Sequence, residues 1–165
     1  MSDLIHQCAE WLAETAIAQA IAGSGYMFPM LETVHVIGLT LVIGTIGIVD
    51  LRLLGLASTK RPIRDVCEHM LPLSWTGFLI ALISGALMFM ANATSYVDNR
   101  AFQLKFLFLF LAGVNMLVFH TSAWRSLAQW NNAEKPPAPA RIAGAISLSC
   151  WIVIVFLGRW IGFLV

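Results

Sequence analysis

Four long apolar stretches, at about 27–54, 70–91, 102–122 and 142–165, constrain this chain more than anything else in it. Each approaches or exceeds the roughly 20 residues that an α-helix needs to cross the hydrocarbon core of a bilayer. Inside that core no water can satisfy backbone groups, so such stretches fold as helices that bond to themselves. A soluble bundle would carry a polar stripe on each helix, and these stretches carry none. Hydrophobic residues make up 59 % of the chain and charged ones 12 %, against about 25 % charged in an ordinary soluble domain. The expected fold class is therefore all-α, an integral membrane four-helix bundle. A net charge of +1 without a clustered basic face gives no reason to expect nucleic acid as a partner.

Residues 1–25 read as an N-terminal amphipathic interfacial helix and its linker, and residues 26–165 as the four-span domain. Over 3–22, Asp3, Gln7, Glu10 and Glu14 recur on one helical face, with Leu4, Cys8 and Trp11 on another. Gly23, Ser24 and Gly25 end this helix. It is expected to lie flat in the interface and to pack on the outer mouth of the bundle. Its acidic start is the reverse of a signal peptide's basic one, so it is not expected to be cleaved. A charged loop follows at 56–68, a polar one at ANATSYVDNR, and a proline-rich connector at NNAEKPPAPA.

Orientation follows from the basic residues. Arg52, Lys60, Arg61, Arg64, Arg125, Lys135 and Arg141 fall on one side, and Arg100, Lys105 and Arg159 on the other. The richer side is expected to be cytoplasmic, which places both termini in the periplasm of a bacterial inner membrane. Cys8 and Cys67 then lie on opposite sides and cannot bridge, and Cys150 reads as a small apolar residue. Gly77, Ala81 and Gly85 form a small-residue ridge on the second span. Gly38 and Gly44 offer notches in the first, and Gly158 and Gly162 a small-xxx-small pair in the fourth. Such ridges suit helix packing within the bundle or in a homo-oligomer.

Function in a bilayer is sought first among ionisable groups that hydrocarbon should reject. Glu32 and His35, three residues apart, share a helical face and are expected to point into the bundle. Lys105 and Arg159 lie near that depth as partners for Glu32, and His35 is a candidate ligand for haem or a metal. A Glu-x-x-His pair also occurs in di-iron bundles, but the second motif that these need is missing. Asp50 and Arg52 diverge on their helix, and each is expected to meet another helix, with Arg125 or Glu68 as candidates. His120 and His69 stand near one interface on neighbouring spans. They could hold a b-type haem, or a metal at His120, with Arg64, Arg125 or Arg141 free for propionates.

One haem cannot take both His35 and His120. The first and third spans run in the same direction, and His35 precedes Asp50 by roughly 22 Å at 1.5 Å per residue. His120 lies at Asp50's level, so an outer haem must take His35 with another ligand, Met88 or Met90 for instance.

The strings FPMLETVH, DLRLLG, LPLSWTGF, AFQLK, NMLVFH and LGRWI occur in order from about residue 26 to the end. Together they resemble an uncharacterised family of small four-span bacterial inner-membrane proteins. The resemblance implies four spans and singles out Glu32, His35, Asp50, Arg52, Lys105, His120 and Arg159. His69 departs from the family pattern, which weakens a His69–His120 pair. Size and helix count are also similar to small b-type cytochromes and copper-resistance membrane proteins, an analogy of fold alone.

Three functions compete. The first is a redox or metal subunit carrying haem b, or handling copper, between quinone and a periplasmic redox protein. The second is an accessory protein without cofactor, whose buried charges only hold helices together. The third is proton or small-solute passage with Glu32, His35 and Asp50 as relay groups. No nucleotide loop, zinc motif or nucleophile with its base is visible, so hydrolytic chemistry has no apparatus.

Overall fold

The computed structural model describes residues 2–163, and the last two residues of the expected fourth span lie outside them. Four helices are long and apolar enough to cross a membrane. They are α3 (Met27–Leu54), α4 (Ile63–Ala91), α6 (Arg100–Thr121) and α8 (Ala138–Ile161). Among the described residues there is no strand, and the protein is a multi-pass membrane protein. The shorter elements are α1 (Ser2–Ala13), α2 (Ala16–Gly23), α5 (Ala93–Val97), a 3₁₀ turn (Ala123–Ser126) and α7 (Leu127–Trp130).

α4 packs on α3, α3 on α8 and α8 on α6, so α3 and α8 form the middle of the bundle. α4 and α6 approach each other through side chains at their ends. Phe89 stacks on Phe102 with centroids 5.2 Å apart at the N-terminal end. At the other end, the loop end, Trp124 shares a cleft with Leu71 and Trp75. α6 hides only 6 % of its apolar window within the protein, against 22–28 % for the other spans. Its remaining apolar surface is left for lipid.

Helix limits follow local chemistry. Gly55 ends α3 in the left-handed conformation (φ 75°), and the following N–H of Leu56 reaches back to the Leu51 carbonyl at 2.9 Å. α4 starts seven residues earlier than its apolar stretch, within what reads as a charged loop. Pro62 offers no side-chain cap, so Asn131 supplies one from across the bundle. Its carbonyl accepts from the Ile63 N–H and its Oδ1 from the Arg64 N–H, both at 2.9 Å. Asn99 caps α6 through Oδ1 and donates from Nδ2 to the Ile161 carbonyl at 3.3 Å, joining α6 to the end of α8.

The N-terminal segment is two helices rather than one. The Thr15 hydroxyl donates to the Leu12 carbonyl at 2.7 Å and accepts from the Ala18 N–H, closing α1 and opening α2. α1 leans on α4 and α5, and α2 on α3 and α4. The residues they bury are Ala9, Ala18 and Ile21. The more obvious apolar stripe stays outside: Leu4, Cys8 and Trp11 are exposed, Trp11 at 67 %. Small residues let the helices sit close, whereas the large ones suit a lipid interface.

The largest buried cluster lies at the loop end and includes Val49, Leu53, Ile63, Val66, Phe119, Leu127 and Trp130.

Candidate functional site

The first site grows out of the α3–α4 crossing. The helices touch backbone to backbone at Gly38 and Gly77, where a Cβ on Gly77 would stand 2.8 Å from the Gly38 carbonyl oxygen. Two turns further along α4, towards its C-terminal end, Gly85 leaves room for the ring of His35. A Cβ there would lie 2.9 Å from its Cε1 and 3.2 Å from its Nδ1. The ridge Gly77, Ala81, Gly85 read from sequence is thus the bed of α3. Gly44, read as a notch, faces nothing within 4 Å.

His35 is half-buried, and its Nδ1 lies 2.8 Å from the Ala81 carbonyl oxygen and 3.2 Å from the Ser84 hydroxyl. A carbonyl only accepts, so Nδ1 carries the proton. The Ser84 hydroxyl is turned to its own helix, donating to the Ile80 carbonyl at 2.6 Å. In the neutral ring the lone pair then sits on Nε2, and no hydrogen bond among the described residues engages it. A histidine held by Nδ1–H on a carbonyl with Nε2 free is the arrangement of a metal ligand.

Around the ring the expected charge network does not form. His35 lies in the fields of Glu32 and Lys105. Among the described residues, however, no ion pair within 4.0 Å joins Glu32 to Lys105 or Arg159. Glu32 is exposed, although it was expected to face inward with His35. A spacing of three residues turns a helix by about 300°, and here the edge of the buried face falls inside the remaining 60°. Lys105 is half-buried and lies along bare backbone of α8, its Nζ 3.6 Å from where a Gly158 Cβ would be. Arg159, the next residue, is turned away and lies over the Phe163 ring at 5.2 Å. Above Glu32, burial and the Glu32 charge together push the Tyr96 phenol above its ordinary range.

The second polar place is Asp50 and Arg52, which are 3 % and 1 % exposed. Neither meets Arg125 or Glu68 in an ion pair among the described residues. Arg52 bonds loop carbonyls instead: Nε donates to Arg61 and Nη2 to Ala133, both at 3.0 Å. The backbone of Asp50 packs on α8, where a Cβ on Gly144 would lie 3.1 Å from the Asp50 carbonyl oxygen.

Among the described residues no hydrogen bond or ring contact joins His69 to His120. His69 is exposed, with Nδ1 on the Asp65 carbonyl at 2.7 Å and near its carboxylate at 3.4 Å. His120 is exposed, bonds the Met116 carbonyl of its own helix, and lies beside Trp124, its ring tilted by 36° with centroids 5.6 Å apart. Arg125 is exposed on the 3₁₀ turn. Among the described residues no group of three or more His, Cys, Asp or Glu is placed to hold a metal ion. Cys8, Cys67 and Cys150 are free thiols.

Sequence reasoning missed Ser84, Asn99 and Asn131. Asn131 sits in a polar connector where nothing marks it as a cap for a distant helix. Asn115 donates to the Ala143 carbonyl at 2.9 Å and links α6 to α8.

Fold and polar groups together define a small multi-pass helical membrane protein with a half-buried histidine held between its first two spans. A model of a family of unknown function, DUF6644, matches residues 9–164, and the chain belongs to that family. No curated protein and no solved structure matches it.

Proposed function

We propose that the protein is an electron-transfer subunit of the bacterial inner membrane that carries haem b, or another metal centre, on His35. The observation that supports this is the His35 ring itself, fixed by Ala81, seated on Gly85, with Nε2 unengaged. The residues at hand fit such a group. Nε2 would supply a nitrogen ligand, and the Lys105 ammonium, with no carboxylate within 4.0 Å among the described residues, would meet a propionate. Met88, half-buried and one turn beyond Gly85 on α4, is the candidate second ligand. A bound haem would supply one-electron chemistry between membrane quinone and a periplasmic redox partner, with both termini on the periplasmic side.

An accessory role without cofactor is the second reading, and Arg52 favours it at the loop end, where a charge does hold loops together. Proton passage along α3 has less support. Thr40 and Thr45, the hydroxyls between His35 and Asp50, donate to carbonyls of their own helix at 2.8 Å.

Protein purified from haem-replete cells should show a Soret band that is absent from His35→Ala and unchanged in His69→Ala. Gly85→Ala should shift or weaken the band, since its methyl displaces the ring by several tenths of an ångström. Wild-type protein that is colourless and free of metal by elemental analysis would overturn the redox reading and leave the accessory one.

A further inference from the structure

α4 and α6 pack on other helices rather than on each other. At the loop end the space between them is a cleft of about 360 Å³, lined by Cys67, Glu68, Leu71, Pro72, Trp75 and Trp124. Ligand pockets run from about 300 to 1,000 Å³, so this one suits a single ring rather than a macrocycle. Its chemistry changes along α4. Glu68 lies next to the loop, and Trp75, seven residues on, lies roughly 10 Å deeper at 1.5 Å per residue. Pro72 and Trp75 are exposed on an apolar span, so the cleft opens sideways to lipid.

A second titratable group adjoins the cleft through Trp124. The His120 ring lies beside that indole, with centroids 5.6 Å apart, and its Nδ1 is 2.9 Å from the Met116 carbonyl oxygen. A carbonyl only accepts, so Nδ1 carries the proton and the lone pair of the neutral ring is on Nε2. Among the described residues no hydrogen bond or ion pair engages the Glu68 carboxylate or this Nε2. Both groups accept hydrogen bonds, and a lipid acyl chain has nothing to offer either. We propose that the cleft binds the head of a membrane quinol, with its ring against Trp75 and Trp124 and a hydroxyl donating to Glu68 or His120. Its tail leaves between α4 and α6 into lipid. The oxidised quinone has carbonyls that only accept, so the reduced form is the one held. The electron-transfer reading gives this occupant its purpose, and the site rests on that reading for nothing else.

Tritiated decyl-ubiquinol, kept reduced with borohydride, tests this on the full chain in nanodiscs, with empty nanodiscs as the blank. Binding should saturate at a single quinol per chain. Decyl-ubiquinone should bind about tenfold more weakly, the loss of one hydrogen bond to a charged acceptor. Trp75→Leu changes an exposed side chain, and it should weaken quinol binding by about tenfold or more with little change in Tm. Glu68→Leu combined with His120→Leu should keep binding but make the two redox forms equal. His69→Ala, next to Glu68 but outside the lining, should alter neither. Uptake that never saturates above the blank would overturn the proposal and leave acyl chains as the occupant. Saturable binding untouched by Trp75→Leu would overturn it too, as would equal affinity of the wild type for both forms. A colourless wild type that binds quinol would overturn the haem reading alone, and a haem-bearing one that does not would overturn the cleft alone.

Discussion

Gly77→Val is expected to force the first two spans apart and to cost about 3 kcal/mol, at the upper end of ordinary overpacking effects. The obstacle is not a side chain that could swing away. A Cβ on Gly77 would meet the Gly38 carbonyl at 2.8 Å and the Val42 nitrogen at 3.0 Å. Gly38 presents the mirror problem, its own Cβ lying 2.8 Å from the Ala81 nitrogen. Only rigid-body separation of the helices relieves such contacts, and that separation also lifts His35 off Ala81. The Tm of the purified protein should fall by roughly 6–12 °C, at 2–4 °C per kcal/mol for a chain of this size. Gly44→Val is the control, because nothing stands within 4 Å of a Cβ there. Equal Tm values for the two variants would mean that the crossing is not where the structure places it.

The small residues of this crossing were legible in the sequence because its cause is compositional, although they suited a homo-oligomer as well as the bundle. Small residues four apart on an apolar helix mark the place where another backbone can come close. The spans were legible for the same kind of reason, since length and hydropathy alone decide whether a helix fits a bilayer. What the sequence could not show was which edge of a face is buried. Glu32 and His35 differ by 60° around α3, and that small angle separates an exposed carboxylate from a half-buried imidazole.

Partners drawn from the backbone were also out of reach. Charge bookkeeping offered Arg125 or Glu68 to the Asp50–Arg52 region, because only side chains can be read as partners in a sequence. The carbonyls of Ala81, Arg61 and Ala133 carry no residue signature, and they are the groups that His35 and Arg52 chose. Similarly, the stripe Leu4, Cys8, Trp11 is the stronger apolar face of α1, yet the bundle takes the alanine side. Hydrophobicity identifies a face that leaves water, not whether protein or lipid receives it.

Arg52→Ala is expected to open the loop end of the bundle and to cost about 3–6 kcal/mol, from two hydrogen bonds to a charged donor at about 1.5–3 kcal/mol each. The guanidinium reaches the connector before α4 through the Arg61 carbonyl and the connector before α8 through Ala133. Removing it leaves both acceptors unpaired at the edge of a bilayer, where water reaches them only if the loops separate. Neighbouring contacts depend on the same arrangement. Asn131 caps α4 only while its loop stays beside Ile63 and Arg64, and a Cβ on Gly55 would meet the Glu134 carbonyl at 3.2 Å. Hydrogen exchange should therefore rise together at Ile63, Arg64 and the 131–137 segment, far from the mutated helix face. Arg125→Ala, which removes an exposed arginine on the same side, should leave all three unchanged. Exchange confined to α3 in Arg52→Ala would mean that the two loops are held by something other than this side chain.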